Sequence, residues 1–144
     1  LNAGIKVALG TDGASSNNNL DMLQEMRSAS YLQKVHLMNP TAIHAYQALQ
    51  MATTNGAIAL GLDNETGQLK PGYKADMIIM SYKQPHMLPL YDPIANIVYA
   101  AQASDVETVI VDGNILMQDR IIKAFDEEEV LAKTRETAQR LVGR

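Results

Sequence analysis

Hydrophobic and polar residues follow one another along the first third of the chain in a pattern that predicts a strand and then helices. Residues Ile5–Leu9 form a short apolar run that is partly β-branched and lacks strict alternation. Such a run is typical of a strand that is buried on both faces of a parallel sheet. In the polar tract after this run, Asn18 or Asn19 is the predicted N-cap of a helix that reaches about Val35.

Two more helices are predicted by their boundary residues. Asn39 is the predicted cap of the second helix, with Pro40 at its first helical position. Thr53 or Thr54 starts a shorter helix, for which Gly61 is the predicted C-terminal cap. The first strand has no parallel neighbour within reach, so we expect the N-terminal part of the fold to lie outside this chain.

After these helices, the sequence pattern changes from helical to that of strands and turns. Residues 67–70 and Ala75–Ser81 are predicted strands, joined by a type II turn at Pro71 and Gly72. The proline-rich segment YKQPHMLPLYDP then predicts an extended loop, because proline is excluded from helix interiors and central strands.

The last part of the chain predicts a helix, a hairpin and a final helix. A short helix begins near Pro93. Asp112 and Gly113 lie between two apolar runs, which predicts a β-hairpin with a type I′ turn. The tail from Asp126 to Val142 predicts an amphipathic helix, with the aspartate as its cap and three glutamates in its first turn.

Composition excludes several classes of function. The chain has 144 residues, 47% of them hydrophobic, and a net charge of −4 without a Lys/Arg-rich block, so no nucleic-acid partner is expected. The absence of cysteine excludes disulfides and Cys-based metal sites. No apolar run approaches the roughly 20 residues that span a bilayer, so no membrane partner is expected. We therefore expect a cytoplasmic location.

The pair Asp12-Gly13 has the same two residues as the hairpin pair Asp112-Gly113 but a different C-terminal neighbourhood. The stretch ASSNNN after Gly13 is too small and polar to be a partner strand, and it leads into a predicted helix. Asp12 therefore stands at the end of a strand, where α/β barrels place active-site residues. The residues alone leave two interpretations open, namely a structural role in the turn and a carboxylate placed for catalysis.

The stretch VALGTDGASSNNNLDMLQEMR resembles the eighth-strand segment of the amidohydrolase superfamily. It is most similar to the zinc-dependent 5-methylthioadenosine/S-adenosylhomocysteine deaminases, with chlorohydrolases and guanine deaminases as near relatives. That subgroup has Ala where this chain has Ser15, and Asp where it has Asn19. The resemblance continues through NPTAIHAYQALQMATTNGAIALGL, GQLKPGYKADMIIMS and DPIANIVYAAQASDVETVIVDGNILMQDR, and so covers essentially the whole chain.

The resemblance implies an α/β fold. The chain would be the C-terminal fragment of a TIM-like (β/α)8 metallo-dependent hydrolase barrel, with the last strand and following helices, together with part of a small β-sandwich. The implied segments are the end of the barrel (1–66), a first sandwich segment (67–83), a loop and short helix returning to the barrel (84–104), the sandwich hairpin (105–125) and the C-terminal helix (126–144).

The resemblance also implies that Asp12 contacts the metal and carries protons. Zn2+ lowers the pKa of a bound water to about 7, and a nearby carboxylate can accept the proton of that water. The implied reaction is hydrolytic deamination of a purine nucleoside. The residues implied to shape the substrate pocket are Gly13, Ser15, Ser16, Asn17 and Asn18.

The chain departs from the family in its histidines. The family's metal site also needs a His-x-His pair and two further histidines, whereas this chain has only His36, His44 and His86. We expect all three to be structural or solvated. Because catalytic zinc usually has three protein ligands and a water, Asp12 alone cannot hold it. We therefore expect the isolated chain to be inactive.

Three functions stay open at this point. The first is deamination of 5-methylthioadenosine or S-adenosylhomocysteine by the parent enzyme. The second is dechlorination or deamination of a triazine, guanine or cytosine-type ring. The third is a non-catalytic module that forms a homo-oligomer, because large exposed apolar surfaces usually find a partner.

Arg27, on the first predicted helix, is expected to face solvent.

Overall fold

The computed structural model describes residues 3–143, which form six α-helices and four β-strands. The helices are α1 (Ala14–Asn17), α2 (Met22–His36), α3 (Ala45–Ala52), α4 (Thr54–Ala59), α5 (Pro93–Tyr99) and α6 (Glu127–Val142). The strands are β1 (Met77–Met80), β2 (Val106–Val111), β3 (Asn114–Gln118) and β4 (Ile121–Ile122). Two short 3-10 turns are Pro85–Met87 and Ala103–Asp105.

Helices α2, α3 and α5 pack around an apolar core. Leu23 and Met26, three residues apart on α2, lie on one face of that helix and are buried. Ala48 of α3 and Val98 of α5 are completely buried with them. Met87 is also completely buried, so the proline-rich segment is anchored to the core by its 3-10 turn. This core fixes α2, the helix directly after the polar tract.

The four strands form one antiparallel sheet in the order β1-β2-β3-β4. Ile78 of β1 faces Val109 of β2, and the β2–β3 hairpin closes at Asp112 and Gly113. These two turn residues have φ values of 50° and 78°, as a type I′ turn requires. The hairpin prediction is therefore confirmed.

The predicted strand Ile5–Leu9 is wrong for the part of the chain that the structure describes. These residues are not part of the sheet. Instead, the Leu9 N–H donates to the Met51 carbonyl at 3.0 Å, and the side chain of Asn55 donates to the Val7 carbonyl at 2.9 Å. A strand needs a neighbouring strand for its backbone groups, and within residues 3–143 those groups find helix-end partners instead.

The predicted starts of α2 and α3 are also wrong. Helix α2 begins at Met22, because the side chain of Asp21 accepts hydrogen bonds from the N–H groups of Leu23 and Gln24. Asn18 instead ends α1, with φ 61°. Asn19 contacts Gln24 through its side-chain amide rather than capping α2.

Helix α3 begins at Ala45, later than predicted. The side chain of Asn39 accepts hydrogen bonds from the N–H and the hydroxyl of Thr41, which makes a turn rather than a helix cap. Ile43 then has φ 41°, outside the helical region, and this conformation delays the helix. Helix α4 begins at Thr54 and ends at Ala59, in agreement with the predicted third helix.

Residues 67–70 form no strand, which contradicts the prediction for this segment. Gly67 has φ 85° and passes so close to α4 that an added Cβ would lie 2.7 Å from the Cβ of Ala57. Gly72 has φ 87°, as expected for the second central residue of a type II turn. The second predicted strand is confirmed in shortened form as β1, whose bounds are Met77–Met80.

The two C-terminal helix predictions are confirmed. Helix α5 starts at Pro93, and Asp92 caps it by accepting hydrogen bonds from the N–H groups of Ile94 and Ala95. Helix α6 is capped by Asp126, and every residue of it lies exposed. Within residues 3–143, no helix is long and apolar enough to cross a bilayer.

Candidate active site

Asp12 lies at the end of the extended N-terminal segment and directly before α1. Its backbone has φ 58°, which is the left-handed region that L-residues other than Asn and Asp rarely adopt. The side chain is exposed. The carboxylate therefore stands at a sharp change of chain direction and is open to a ligand.

The carboxylate of Asp12 is held from the side of α1. Its Oδ1 accepts a hydrogen bond from the Gly13 N–H at 2.7 Å. This bond, together with a hydrogen bond from the side chain of Ser16, lowers the pKa of Asp12 below its ordinary value. Asp12 is therefore ionised at neutral pH, which is the form that a metal ligand or a proton acceptor requires.

Of the other residues predicted to shape a pocket, two are exposed away from Asp12 and three lie beside it. Ser15 lies exposed within α1, and Asn18 lies exposed at its C-terminal end. The Gly13 N–H donates to the Asp12 carboxylate, and Ser16 lies close enough to lower the pKa of that carboxylate. Asn17 is half-buried, and its side chain points back to the segment before Asp12. The structure therefore gathers Gly13, Ser16 and Asn17 around Asp12, while their role toward a substrate stays a prediction.

The side-chain amide of Asn17 makes contacts that the sequence did not predict. Its Nδ2 lies 2.8 Å from the Thr11 carbonyl and 2.8 Å from Oε1 of Glu25. A longer contact of 3.1 Å reaches the Asn19 carbonyl. The spacing of Asn17 and Glu25 gives no periodic signal, because one residue belongs to α1 and the other to α2.

The histidines lie apart from Asp12 in other contexts. His36 ends α2, and His44 precedes α3 with its N–H donating to Gln47. His86 pairs with the buried carboxylate of Asp105 at 2.8 Å. Within residues 3–143, no three side chains of the metal-binding types come together. The described residues therefore do not fit a complete zinc site, since such a site needs three protein ligands.

Arg27 does not face solvent, contrary to the prediction. Its Nε donates to the Val98 carbonyl at 3.3 Å, and its Nη2 donates to the Ala101 carbonyl at 2.5 Å. The guanidinium thus satisfies carbonyls at the C-terminal end of α5 and holds that helix against α2. Helical periodicity could not reveal this role, because α5 belongs to a distant part of the sequence.

Comparison with known proteins places these features in a family. The model of the amidohydrolase family matches residues 1–116. The chain is 69% identical over 144 residues to a 5-methylthioadenosine/S-adenosylhomocysteine deaminase of Syntrophomonas wolfei. It is 53% identical over 144 residues to a 5'-deoxyadenosine deaminase of Methanosarcina mazei. Each alignment covers 100% of this chain and 33% of the relative, so the chain spans about a third of their length.

Solved structures show the same relation. An adenosine deaminase from Xanthomonas campestris with bound zinc superposes with a TM-score of 0.95 at 31% identity, over 99% of this chain and 33% of that one. An atrazine chlorohydrolase from Arthrobacter aurescens in complex with zinc gives 0.85 at 26% identity, over 94% and 30%. The α/β fold is that of about a third of these enzymes. With its family model matched over residues 1–116, the chain belongs to the amidohydrolase family.

Proposed function

We propose that the whole protein hydrolytically deaminates an adenosine-type nucleoside, 5-methylthioadenosine or S-adenosylhomocysteine, with Asp12 as the general base. The observation that carries this proposal is the ionised, exposed carboxylate of Asp12 at the turn before α1, within a chain that is 69% identical to a deaminase of that name. The 5'-deoxyadenosine deaminase relative acts on the same class of ring, according to its name.

The chemistry requires one base that moves a proton. A water molecule attacks the purine carbon that bears the amino group, and Asp12 accepts a proton from that water. The same carboxyl then delivers the proton either to the departing amine or to the ring nitrogen. If the ring nitrogen takes it, the departing amine takes the remaining proton of the added hydroxyl. The new C–O bond replaces the C–N bond, ammonia leaves, and the carboxylate is regenerated. No oxidant or reductant is needed.

Zinc enters this proposal only through the family. The solved relatives include enzymes with bound zinc, whereas residues 3–143 bring no complete ligand set together. Asp12 would supply one ligand of such a site, and the remaining ligands would belong to other parts of the whole protein. The isolated chain is accordingly proposed to be inactive.

A related ring is the second candidate substrate. Its support is the likeness of the fold to a solved structure that is named an atrazine chlorohydrolase. The identity of 26% to that enzyme is well below the 69% to the deaminase, which favours the nucleoside. The exposed α6, amphipathic and without buried residues, is the observation behind a third possibility, a chain that self-associates without catalysis.

A substrate panel tests the proposal. The zinc-loaded whole protein is assayed for ammonia release from 5-methylthioadenosine, S-adenosylhomocysteine, 5'-deoxyadenosine and guanine, and for chloride release from a chlorotriazine. We expect kcat/KM for the adenosine-type substrates to exceed the others by about 100-fold or more. Turnover of guanine or the triazine without turnover of the first two would replace the proposal with the second candidate.

A further inference from the structure

Asp12 has left-handed backbone, which aspartate adopts more readily than most residues with a Cβ but which surrounding contacts still help to fix. The bond from the Gly13 N–H fixes the carboxylate relative to α1, but α1 is only four residues long and has no buried residue. The position of Asp12 must therefore be set from a more rigid element.

Helices α3 and α4 hold Leu9 and Val7 upstream, and α2 is the rigid element that contacts the polar tract after Asp12. It has 15 residues, a side-chain cap at Asp21, and two side chains, Leu23 and Met26, buried in the core. Glu25 lies in its first turn and is half-buried. The carboxylate of Glu25 accepts a hydrogen bond from the side chain of Asn17, and this bond ties the residues around Asp12 to α2.

The amide of Asn17 connects α2 to the peptide that leads into Asp12. It has two hydrogen atoms, and its two contacts of 2.8 Å reach Glu25 and the Thr11 carbonyl. The Thr11 carbonyl belongs to the peptide bond between Thr11 and Asp12. Because this peptide unit is planar, a hydrogen bond that holds the carbonyl also fixes the orientation of the backbone N–H of Asp12. Amide and carboxylate form a charge-assisted pair, which is stronger and shorter than a neutral hydrogen bond.

We infer that Asn17, anchored by Glu25, is a positioning residue that sets where the Asp12 carboxylate lies. This inference rests on the proposed function, because it assigns Asn17 a role in placing the general base. Asn17 makes this contribution through Thr11 and touches no reacting atom. Its removal should affect the chemical step rather than the binding of substrate, since misplacement of a reacting group by 1 Å can lower a rate by about 100-fold.

The substitution Asn17→Asp tests this most sharply. It removes both hydrogen-bond donors and sets a carboxylate against the Glu25 carboxylate and the Thr11 carbonyl. In the zinc-loaded whole protein, we expect kcat per bound zinc to fall by about 10- to 100-fold. We expect KM to stay within about threefold of the parent value, because uniform binding is unchanged. A loss carried by KM, or a fall in kcat of less than threefold, would overturn the inference.

Glu25→Gln provides the rescue. Gln retains an oxygen that accepts the Asn17 amide, so this single variant should keep kcat within about threefold. Combined with Asn17→Asp, its amide can donate to the new carboxylate and remove the repulsion. We expect the double variant to recover about tenfold of the lost kcat, which is a coupling of contacting residues. A double variant as slow as Asn17→Asp would contradict the Glu25 anchor.

Asn19→Asp is the matched control. It makes the same change from amide to carboxylate two residues away, where the side chain is exposed and hydrogen-bonds to Gln24 rather than to Glu25 or Thr11. We expect its kcat and KM to stay within about threefold of the parent values. Equal loss in Asn19→Asp and Asn17→Asp would show that any added charge in this tract lowers the rate, and the inference would fail.

Glu25→Ala keeps the inference testable if Asn17→Asp does not fold. Alanine is favourable within a helix, so α2 is preserved, while the anchor of the Asn17 amide is lost. We expect a fall in kcat of about tenfold with unchanged KM. In the metal-free protein, hydrogen exchange of the peptide spanning 11–19 should become about tenfold faster in Glu25→Ala. Unchanged exchange and unchanged kcat together would overturn the inference.

Asp12→Asn separates this inference from the proposed function. If Asp12→Asn deaminates at the parent rate, the proposed function fails and the role of Asn17 fails with it. If Asp12→Asn is inactive while Asn17→Asp is as fast as the parent, only the inference fails. The exchange measurement depends on no activity and therefore reports on the Asn17 contact in either case.

Discussion

At the scale of single residues, two aspartates show how different surroundings produce the same ionised state. The pKa of Asp12 is lowered by hydrogen bonds from Gly13 and Ser16 at an exposed turn. Burial alone would raise the pKa of Asp105, but the hydrogen bonds from His86 and the Gln102 N–H lower it overall. The first carboxylate is open to a ligand, whereas the second joins the 3-10 turn at Pro85–Met87 to the start of β2.

The pair of Asp105 and His86 predicts a pH-dependent contribution to stability. The lowered pKa of Asp105 means that its carboxylate stabilises the fold above its ordinary pKa of about 3.9, and that this contribution disappears as the pH falls through the lowered pKa. Asp105→Asn should lower the free energy of unfolding by about 1–2 kcal/mol at pH 7. The difference from the parent protein should shrink below about pH 4.

Urea unfolding of the parent protein and the variant at pH 7 and below pH 4 measures this difference. Asp63→Asn is the control, because its side chain is exposed and forms no hydrogen bond among the described residues. It should change the free energy of unfolding by less than about 0.5 kcal/mol. A difference for Asp105→Asn that grows as the pH falls would contradict the assigned sign.

At the scale of single residues, the sequence predicted the general position of Asp12 but not the contacts of Asn17 and Arg27. The order of an apolar run, Asp12-Gly13 and a polar tract predicted a carboxylate at the end of a strand. The structure instead places Asp12 at the end of an extended segment that is not part of the sheet within residues 3–143. The contact of Asn17 with Glu25 and the contacts of Arg27 with α5 were not predictable. They join parts of the chain whose relative placement depends on tertiary packing rather than on local spacing.

At the scale of elements, local signals predicted the type of an element better than its boundary. The hairpin at Asp112-Gly113 and the helix at Pro93 formed as predicted, because turn and cap residues act through their own backbone. Helix α2 began later than predicted, because several polar residues could have capped it and Asp21 did so. Strand Ile5–Leu9 did not form, since a strand depends on a partner that local sequence does not supply.

The close approach of Gly67 to α4 gives a prediction at this scale. Gly67→Ala would place a Cβ 2.7 Å from the Cβ of Ala57 and 3.2 Å from the Thr53 carbonyl, on backbone with φ 85°. Overpacking and left-handed backbone together should lower the free energy of unfolding by about 3 kcal/mol. Urea unfolding measures this change.

Gly56→Ala is the matched control for that prediction. Gly56 lies within α4, and an added Cβ there meets no atom within 4 Å. Alanine should raise the free energy of unfolding by about 0.5–1 kcal/mol, because glycine is unfavourable in a helix. If both substitutions changed stability in the same direction, the close contact between Gly67 and α4 would not be the cause.

At the scale of the whole molecule, the chain spans about a third of the length of its curated relatives. The family resemblance in the sequence was confirmed by the family model and by the superposition on solved amidohydrolases. The proposed segments of the chain, and the roles of the pocket residues, stay predictions. The metal site is incomplete within residues 3–143, so catalysis is a property proposed for the whole protein.

The central claim is that Asp12 is the general base of a hydrolytic deaminase, and one measurement tests it most directly. Ammonia release from 5-methylthioadenosine is compared between the zinc-loaded whole protein and its Asp12→Asn variant, as kcat per bound zinc. The account predicts that kcat falls by about 1000-fold in the variant, because the amide cannot accept the proton of the attacking water. A variant that retains more than about one tenth of the parent kcat would contradict the account.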